Sequence, residues 1–84
     1  MEISLPGAGR FYDDRIKLRH LRVIAAVDAH KGISAAALAL GISPAAVSKT
    51  VGELETLVGM DLLERVGRTV QLTDAGRLVV SAAQ

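Results

Sequence analysis

The chain has 84 residues, a formal net charge of +1 at pH 7, and 50% hydrophobic residues. This length gives one small domain, or a fragment of a larger chain, with a core of limited size. The sequence contains no cysteine, which excludes a disulfide framework and a thiolate metal site. Phe11 and Tyr12 are its only aromatic residues, so the core must consist of aliphatic and alanine side chains. That composition favours a helical bundle.

Neither the N-terminal residues nor the longest apolar run is typical of an exported or membrane-inserted protein. Residues 1–6 lack a basic stretch followed by an apolar segment, so they do not form a secretory signal. The longest apolar run, residues 35–40, is far shorter than the roughly 20 residues that a membrane-spanning helix needs. We therefore expect a cytoplasmic protein without a membrane partner.

The N-terminal part of the chain divides into an arm and a first helix. Residues 1–15 contain glycine and proline without a sustained hydrophobic period, which predicts a flexible arm. From about residue 18 to 31, apolar residues such as Leu21 and Ile24 recur at helical spacing. We expect Gly32 to end this helix.

Residues 34–49 carry the most informative pattern in the chain. Ser34 is placed to cap a second helix, and Gly41 to end it in the left-handed conformation. Ser43 followed by Pro44 then opens a third helix. Two helices joined by a tight turn that contains glycine are typical of DNA-binding helix-turn-helix proteins. We expect the second helix to be buried on most sides, with Ile42 filling the space between the helices.

The third helix is predicted over residues 44–58, with two faces of different character. At about 100° per residue, one sector of the helix collects bulky aliphatic side chains, namely Val47, Val51, Leu54 and Val58. The opposite sector is small or polar apart from one cation, and comprises Ala45, Ser48, Lys49, Gly52 and Thr56. Small residues let a helix backbone lie close to another surface, such as the floor of a DNA major groove.

Two short β-prone segments and a last helix follow. Residues 61–65 and 70–72 flank the tetrapeptide 66–69, which predicts a hairpin with Arg68 at its tip and Arg65 at its base. Thr73 is placed to cap a fourth helix that is still apolar when the sequence ends. An apolar helix of this kind needs a partner, either a second copy of the chain or further residues.

Nothing in the sequence supports catalysis or metal binding. His20 and His30 have no ligand-type neighbours at metal-binding spacing. Glu53 and Glu55 are two residues apart on a helix and so point in different directions. We therefore interpret them as solvated charges. No nucleophile is accompanied by a base. We expect no enzyme activity, no cofactor and no bound metal.

A series of short motifs runs along the chain in a fixed order: Leu18-Arg19-His20-Leu21, Ala36-Ala37, Ile42-Ser43, Ala46-Val47-Ser48-Lys49, Leu54-Glu55, Leu62-Leu63-Glu64-Arg65 and Leu72-Thr73-Asp74-Ala75-Gly76. In this combination they resemble the N-terminal DNA-binding domain of LysR-type transcriptional regulators. The resemblance covers residues 18–80.

The resemblance implies a mainly α fold, the winged helix-turn-helix: a three-helix bundle with a small β-hairpin wing, followed by the start of a linker helix. It divides the chain into an arm (residues 1–15), the winged helix-turn-helix (16–72) and the start of a dimerising linker helix (73–84). The implied partners are double-stranded DNA and a second copy of the chain, paired through the helix that starts at Thr73. A small effector molecule is implied only where a C-terminal domain follows.

The resemblance also implies which residues meet DNA. The positions on the third helix and its start are Ser43, Pro44, Ala45, Ser48 and Lys49, the position at the start of the second helix is Ser34, and the wing positions are Arg65 and Arg68. Two alternatives stay open at this point. Ala35 and Gly52 stand where the family often has basic residues, which is compatible with a winged-helix module that binds another protein. A DNA-binding domain of a different regulator type, such as the ModE-like proteins, is the other.

Overall fold

In a computed structural model of the protein, residues 15–83 are described, and they form four helices and a two-stranded hairpin. The elements in chain order are α1 (Leu18–His30), α2 (Ile33–Leu40), α3 (Pro44–Val58), β1 (Leu63–Val66), β2 (Thr69–Leu72) and α4 (Asp74–Ala83). The mainly helical architecture with a hairpin before the last helix is as predicted. The predicted arm, apart from Arg15, lies outside the described residues.

The junction between α1 and α2 differs from the prediction. Lys31, and not Gly32, adopts the left-handed conformation that ends α1, with φ of 60°. Gly32 is instead the extended residue before α2, and its carbonyl accepts the N–H of Ala36 at 3.1 Å. This hydrogen bond starts the helix at Ile33. The prediction that Ser34 caps α2 was therefore wrong, because Ser34 already lies within the first helical turn.

The core lies where α1, α2 and α3 meet, closed by β2 and α4. The inward stripe predicted for α3 is confirmed: Val47, Val51 and Leu54 are at most 4% exposed, and Val58 is half-buried. The largest fully buried side chains are Ile24, Leu54, Leu62, Val27, Val47 and Val79. Aliphatic residues thus build the interior, as the composition requires.

Two predictions about the helix-turn-helix interior were wrong. α2 buries only Ala36 and Ala37, while its Leu38 is 85% exposed. An eight-residue helix packed against α1 and α3 covers one side only, and its two small residues allow a close approach there. Ile42 is 41% exposed and does not fill the space between the helices.

The first strand of the hairpin begins two residues later than predicted, at Leu63 and not at residue 61. β1 pairs antiparallel with β2 from Leu63 opposite Leu72 to Val66 opposite Thr69, so the turn contains two residues, 67 and 68. Gly67 has φ of 62°, which suits a glycine in a tight hairpin turn. Residues 61 and 62 precede the strand, and the N–H of Leu62 donates to the Glu55 carboxylate of α3 while its carbonyl accepts the N–H of Thr73.

The cap predicted for the last helix is confirmed. The hydroxyl of Thr73 accepts the N–H of Gly76 at 3.0 Å, and Asp74 lies in the first turn, paired with Arg77. Val79 and Val80 face the core, whereas Leu78 is 58% exposed. The helix therefore keeps one apolar side chain on its outer surface.

No single helix among residues 15–83 is both long and apolar enough to cross a membrane, although α1 and α2 together, with a bend of 120° between them, satisfy length and composition.

Candidate nucleic-acid interface

The turn between α2 and α3 fixes how α3 is presented. Gly41 ends α2 with φ of 72°, and the N–H of Ile42 donates to the carbonyl of Ala37 at 3.0 Å. The Oγ of Ser43 accepts the N–H of Ala46 at 3.0 Å, and Pro44 is the first residue of α3. The left-handed Gly41 and the start of α3 at Ser43 and Pro44 were predicted from the sequence. They hold the first turn of α3 at the molecular surface.

The outward face of α3 is narrow and carries little charge. Ala45, Ser48 and Lys49 are exposed, directly opposite the buried stripe. Further along, a Cβ placed on Gly52 would meet no atom within 4 Å, and the hydroxyl of Thr56 donates to the carbonyl of Gly52 at 3.0 Å. Apart from Lys49, none of these five residues has a side chain that projects far from the helix. The backbone of α3 is therefore free to approach another surface closely.

Three elements converge on a groove beside this face. An open cavity of about 250 Å³ is lined by Ile33 at the start of α2, Ser48 on α3 and Arg65 on β1. Ser34 follows Ile33 and is exposed. The structure thus brings the start of α2, the middle of α3 and the wing to one side of the molecule, as a shared binding surface requires.

The wing carries its two arginines on the surface. Arg68 lies in the two-residue turn, and Arg65 stands opposite Val70 in the hairpin. Both are exposed, and among residues 15–83 no ion pair joins Arg65 to Glu64 or Asp61. All eight residues predicted to contact DNA are exposed: Ser34, Ser43, Pro44, Ala45, Ser48, Lys49, Arg65 and Arg68.

Two carboxylates that the sequence suggested were merely solvated have structural partners. Glu55 accepts backbone N–H groups from Leu62 at 2.8 Å and from Leu63 at 3.3 Å. Glu53 lies 3.2 Å from the Nε2 of His20 and 3.8 Å from Arg19. Sequence periodicity could not reveal these contacts, because the partners are distant in the chain or are backbone groups of a loop.

His20 is a buried polar residue that ties α1 to α3. It is 3% exposed, and its Nδ1 accepts the N–H of Lys17 at 2.8 Å. Since Nδ1 accepts, Nε2 carries the proton and donates to Glu53. The ring is satisfied on both sides. Within residues 15–83, no three His, Cys, Asp or Glu side chains are grouped to hold a metal ion.

A helix-turn-helix whose second helix turns a slim face outward, beside a hairpin with two exposed arginines, defines a winged helix-turn-helix domain. The chain belongs to the LysR family: residues 18–77 match the family described as bacterial regulatory helix-turn-helix proteins of the lysR family. The match spans most of the elements described above.

Curated relatives agree with this assignment. The chain is 40% identical over 77 residues to the HTH-type transcriptional regulator GbpR of Azospirillum brasilense, which covers 92% of the chain and 22% of GbpR. It is 41% identical over 71 residues to the HTH-type transcriptional regulator PcaQ of Agrobacterium fabrum, covering 84% of the chain and 23% of PcaQ. The chain thus spans less than a quarter of the length of these relatives.

Solved structures match the fold over a similar range. The DNA-binding domain of CbnR in complex with DNA superposes with a TM-score of 0.77 at 32% identity, covering 81% of this chain and 78% of that one. The DNA-binding domain of BenM bound to benA site 1 DNA gives 0.76 at 35% identity, covering 81% and 79%. The fold is therefore that of LysR-family DNA-binding domains.

Proposed function

We propose that this chain binds specific sites in double-stranded DNA as the DNA-binding part of a LysR-type transcriptional regulator, with α3 in the major groove. The observation that carries the proposal is the outward face of α3. Ala45, Ser48 and Lys49 are exposed on the side opposite the buried Val47 and Leu54. A helix face of small side chains fits into a major groove, and a basic hairpin beside that helix fits the adjacent phosphate backbone.

Each residue at the start of α3 has a role in this arrangement. Ser43, at the N-terminus of α3, faces the phosphate backbone, to which helix N-termini are suited. Pro44 and Ala45 offer apolar contact to base edges, and Ser48 a hydroxyl that hydrogen-bonds to them. Lys49 neutralises a phosphate. Ser34, exposed in the first turn of α2, supplies a second hydroxyl to the backbone.

The wing supplies contacts that do not depend on sequence. Arg65 and Arg68 extend from the hairpin next to α3 and are assigned to phosphates at the neighbouring minor groove. Contacts of this kind position the protein on the duplex but carry no base information. Substituting Arg68 therefore weakens binding to all sequences alike.

We also propose that two copies of the chain pair through α4, within the linker segment 73–84, next to the winged domain of residues 16–72. Leu78 is exposed on α4 while the neighbouring Val79 and Val80 are buried, so a partner has an apolar side chain to cover. Two paired domains read two half-sites.

The cytoplasm is the compartment proposed for a bacterial regulator of this family, and we assign no effector site to residues 15–83.

The test begins with selection of bound duplexes from genomic DNA, followed by anisotropy titrations of a labelled selected duplex at several salt concentrations. Lys49→Ala is expected to weaken binding about tenfold and to reduce the salt slope by about one. Ser48→Ala is expected to weaken binding to the selected site more than to random DNA. Lys17→Ala removes an exposed lysine at the start of α1 and serves as the matched control.

Unchanged affinity for both the Lys49 and Ser48 variants would contradict the docking of α3. A titration without a steep dependence on salt would contradict DNA binding itself, because counterion release accompanies every phosphate contact. That second outcome would favour the alternative function, a winged helix that binds another protein.

A further inference from the structure

The base of the wing, residues 61–63, is held by two helices and not by the sheet alone. On one side, Glu55 of α3 accepts the N–H of Leu62 at 2.8 Å and the N–H of Leu63 at 3.3 Å. One carboxylate oxygen, Oε2, receives both donors. A charged acceptor makes such hydrogen bonds stronger than neutral ones. The start of β1 is thereby fastened to α3.

On the other side, the same segment is held by Thr73 at the start of α4. Its hydroxyl donates to the carbonyl of Asp61 at 2.7 Å, and its N–H donates to the carbonyl of Leu62 at 3.0 Å. The N–H groups of Leu62 and Leu63 therefore bond to α3, and the carbonyl groups of Asp61 and Leu62 bond to Thr73, the residue before α4. These hydrogen bonds hold the base of the hairpin between α3 and the start of α4.

Glu55 also lies on the same face of α3 as Ser48. Seven residues advance an α-helix by almost two full turns, or about 10 Å along its axis. Both side chains line the groove that Arg65 enters from the wing. One face of one helix therefore bears a proposed base contact and the anchor of the wing, with rigid helix between them.

Because Glu55 is charged, its position in the groove has two opposing consequences for DNA affinity. A carboxylate in a groove that faces DNA repels phosphate, so by electrostatics alone its removal strengthens binding. The structure gives Glu55 a compensating role, because its oxygen is the acceptor for two backbone N–H groups of the wing base. The two roles predict opposite changes in affinity when the charge is removed.

We infer that Glu55 is a positioning residue for DNA binding, and that its carboxylate holds the wing at the angle at which Arg65 and Arg68 reach phosphates while α3 occupies the groove. The inference rests on the proposed function. It assigns to Glu55 no contact with DNA. When the Glu55 carboxylate is removed, Arg65 and Arg68 lose their phosphate contacts because α3 no longer holds the wing in place.

The variants are Glu55→Ala and Glu55→Gln, with Glu64→Gln as the matched control, assayed in the whole chain with the selected labelled duplex. Glu64 is an exposed carboxylate that lines the same groove, and among residues 15–83 its side chain makes no hydrogen bond. We expect Glu64→Gln to bind at least as tightly as the wild type. We expect Glu55→Ala to bind about tenfold more weakly with a smaller salt slope, and Glu55→Gln to fall between them.

A double-mutant cycle with Arg68→Ala separates positioning from a general loss of folded protein. Arg68→Ala is expected to weaken binding about tenfold in the wild type but less than about twofold in Glu55→Ala, because that wing has already lost its contacts. Amide hydrogen exchange provides the structural readout. The amides of Leu62 and Leu63 should lose protection in both Glu55 variants while the amide of Leu54 stays protected.

The outcomes distinguish this inference from the proposed function. If Arg68→Ala leaves affinity unchanged, the proposed wing contact falls and the positioning role falls with it. If Arg68→Ala weakens binding but Glu55→Gln binds as tightly as Glu64→Gln, only the positioning role is overturned. Full additivity of the Glu55 and Arg68 substitutions also overturns it. Should Glu55→Ala not fold, the same comparisons are made with Glu55→Gln, in which an amide NH2 group replaces one carboxylate oxygen.

Discussion

At Gly76 in α4, helix propensity and tertiary packing predict opposite effects of an alanine substitution on the stability of the domain. In a helix interior, replacing glycine by alanine normally stabilises a protein by about 0.5–1 kcal/mol. A Cβ on Gly76, however, would overlap the carbonyl oxygen of Leu62 and lie 3.1 Å from the Cδ2 of Leu72. The first contact is with backbone, which cannot rotate away. We therefore expect Gly76→Ala to destabilise the domain.

The size of the destabilisation follows from the displacement of α4 that the added Cβ requires. Relieving the contact pushes α4 away from residue 62, which strains the core by about 1–3 kcal/mol. It also stretches the hydrogen bond from the N–H of Thr73 to the carbonyl of Leu62, now 3.0 Å, at a cost of about 1 kcal/mol. After the gain in helix propensity is subtracted, the expected loss is about 1–3 kcal/mol of the free energy of unfolding.

Gly52 provides the matched control on α3. A Cβ there meets nothing within 4 Å and its φ is helical, so Gly52→Ala should stabilise by about 0.5–1 kcal/mol. Urea unfolding followed by circular dichroism measures both free energies, and for a domain of this size each kcal/mol moves Tm by about 4–8 °C. A Gly76→Ala protein as stable as the wild type would refute the close approach of α4 to Leu62.

Two further predictions concern the helix-turn-helix. Ser43→Ala should lower the free energy of unfolding by about 1 kcal/mol, because the N–H of Ala46 loses its acceptor; an unchanged urea midpoint would contradict the cap. Leu38→Gln should change stability by less than about 0.5 kcal/mol, since Leu38 is 85% exposed, whereas Leu54→Ala should cost about 2–5 kcal/mol. A large loss in thermal stability for Leu38→Gln would mean that the outer face of α2 is covered.

Interactions between residues close in the chain were predictable because their chemistry is local. The bounds of α3 follow from Ser43 and Pro44 at its start and from Gly59, which ends it with φ of 82°. The inward stripe of α3 follows from helical periodicity, and the cap at Thr73 from the residue type at a helix start. The positions on α3 and the wing expected to meet DNA came from the resemblance to LysR-type regulators, and they stay a prediction.

The sequence by itself determined the bounds of α3, the side of α3 that is apolar, and the cap of α4 at Thr73, since each depends on neighbours within a few positions. Only the tertiary structure decided what Glu55, His20 and Gly76 do. Their partners are backbone groups of a loop, a side chain 33 residues away, and a carbonyl on another element. Such contacts exist only after the helices pack, so no periodicity in the chain records them.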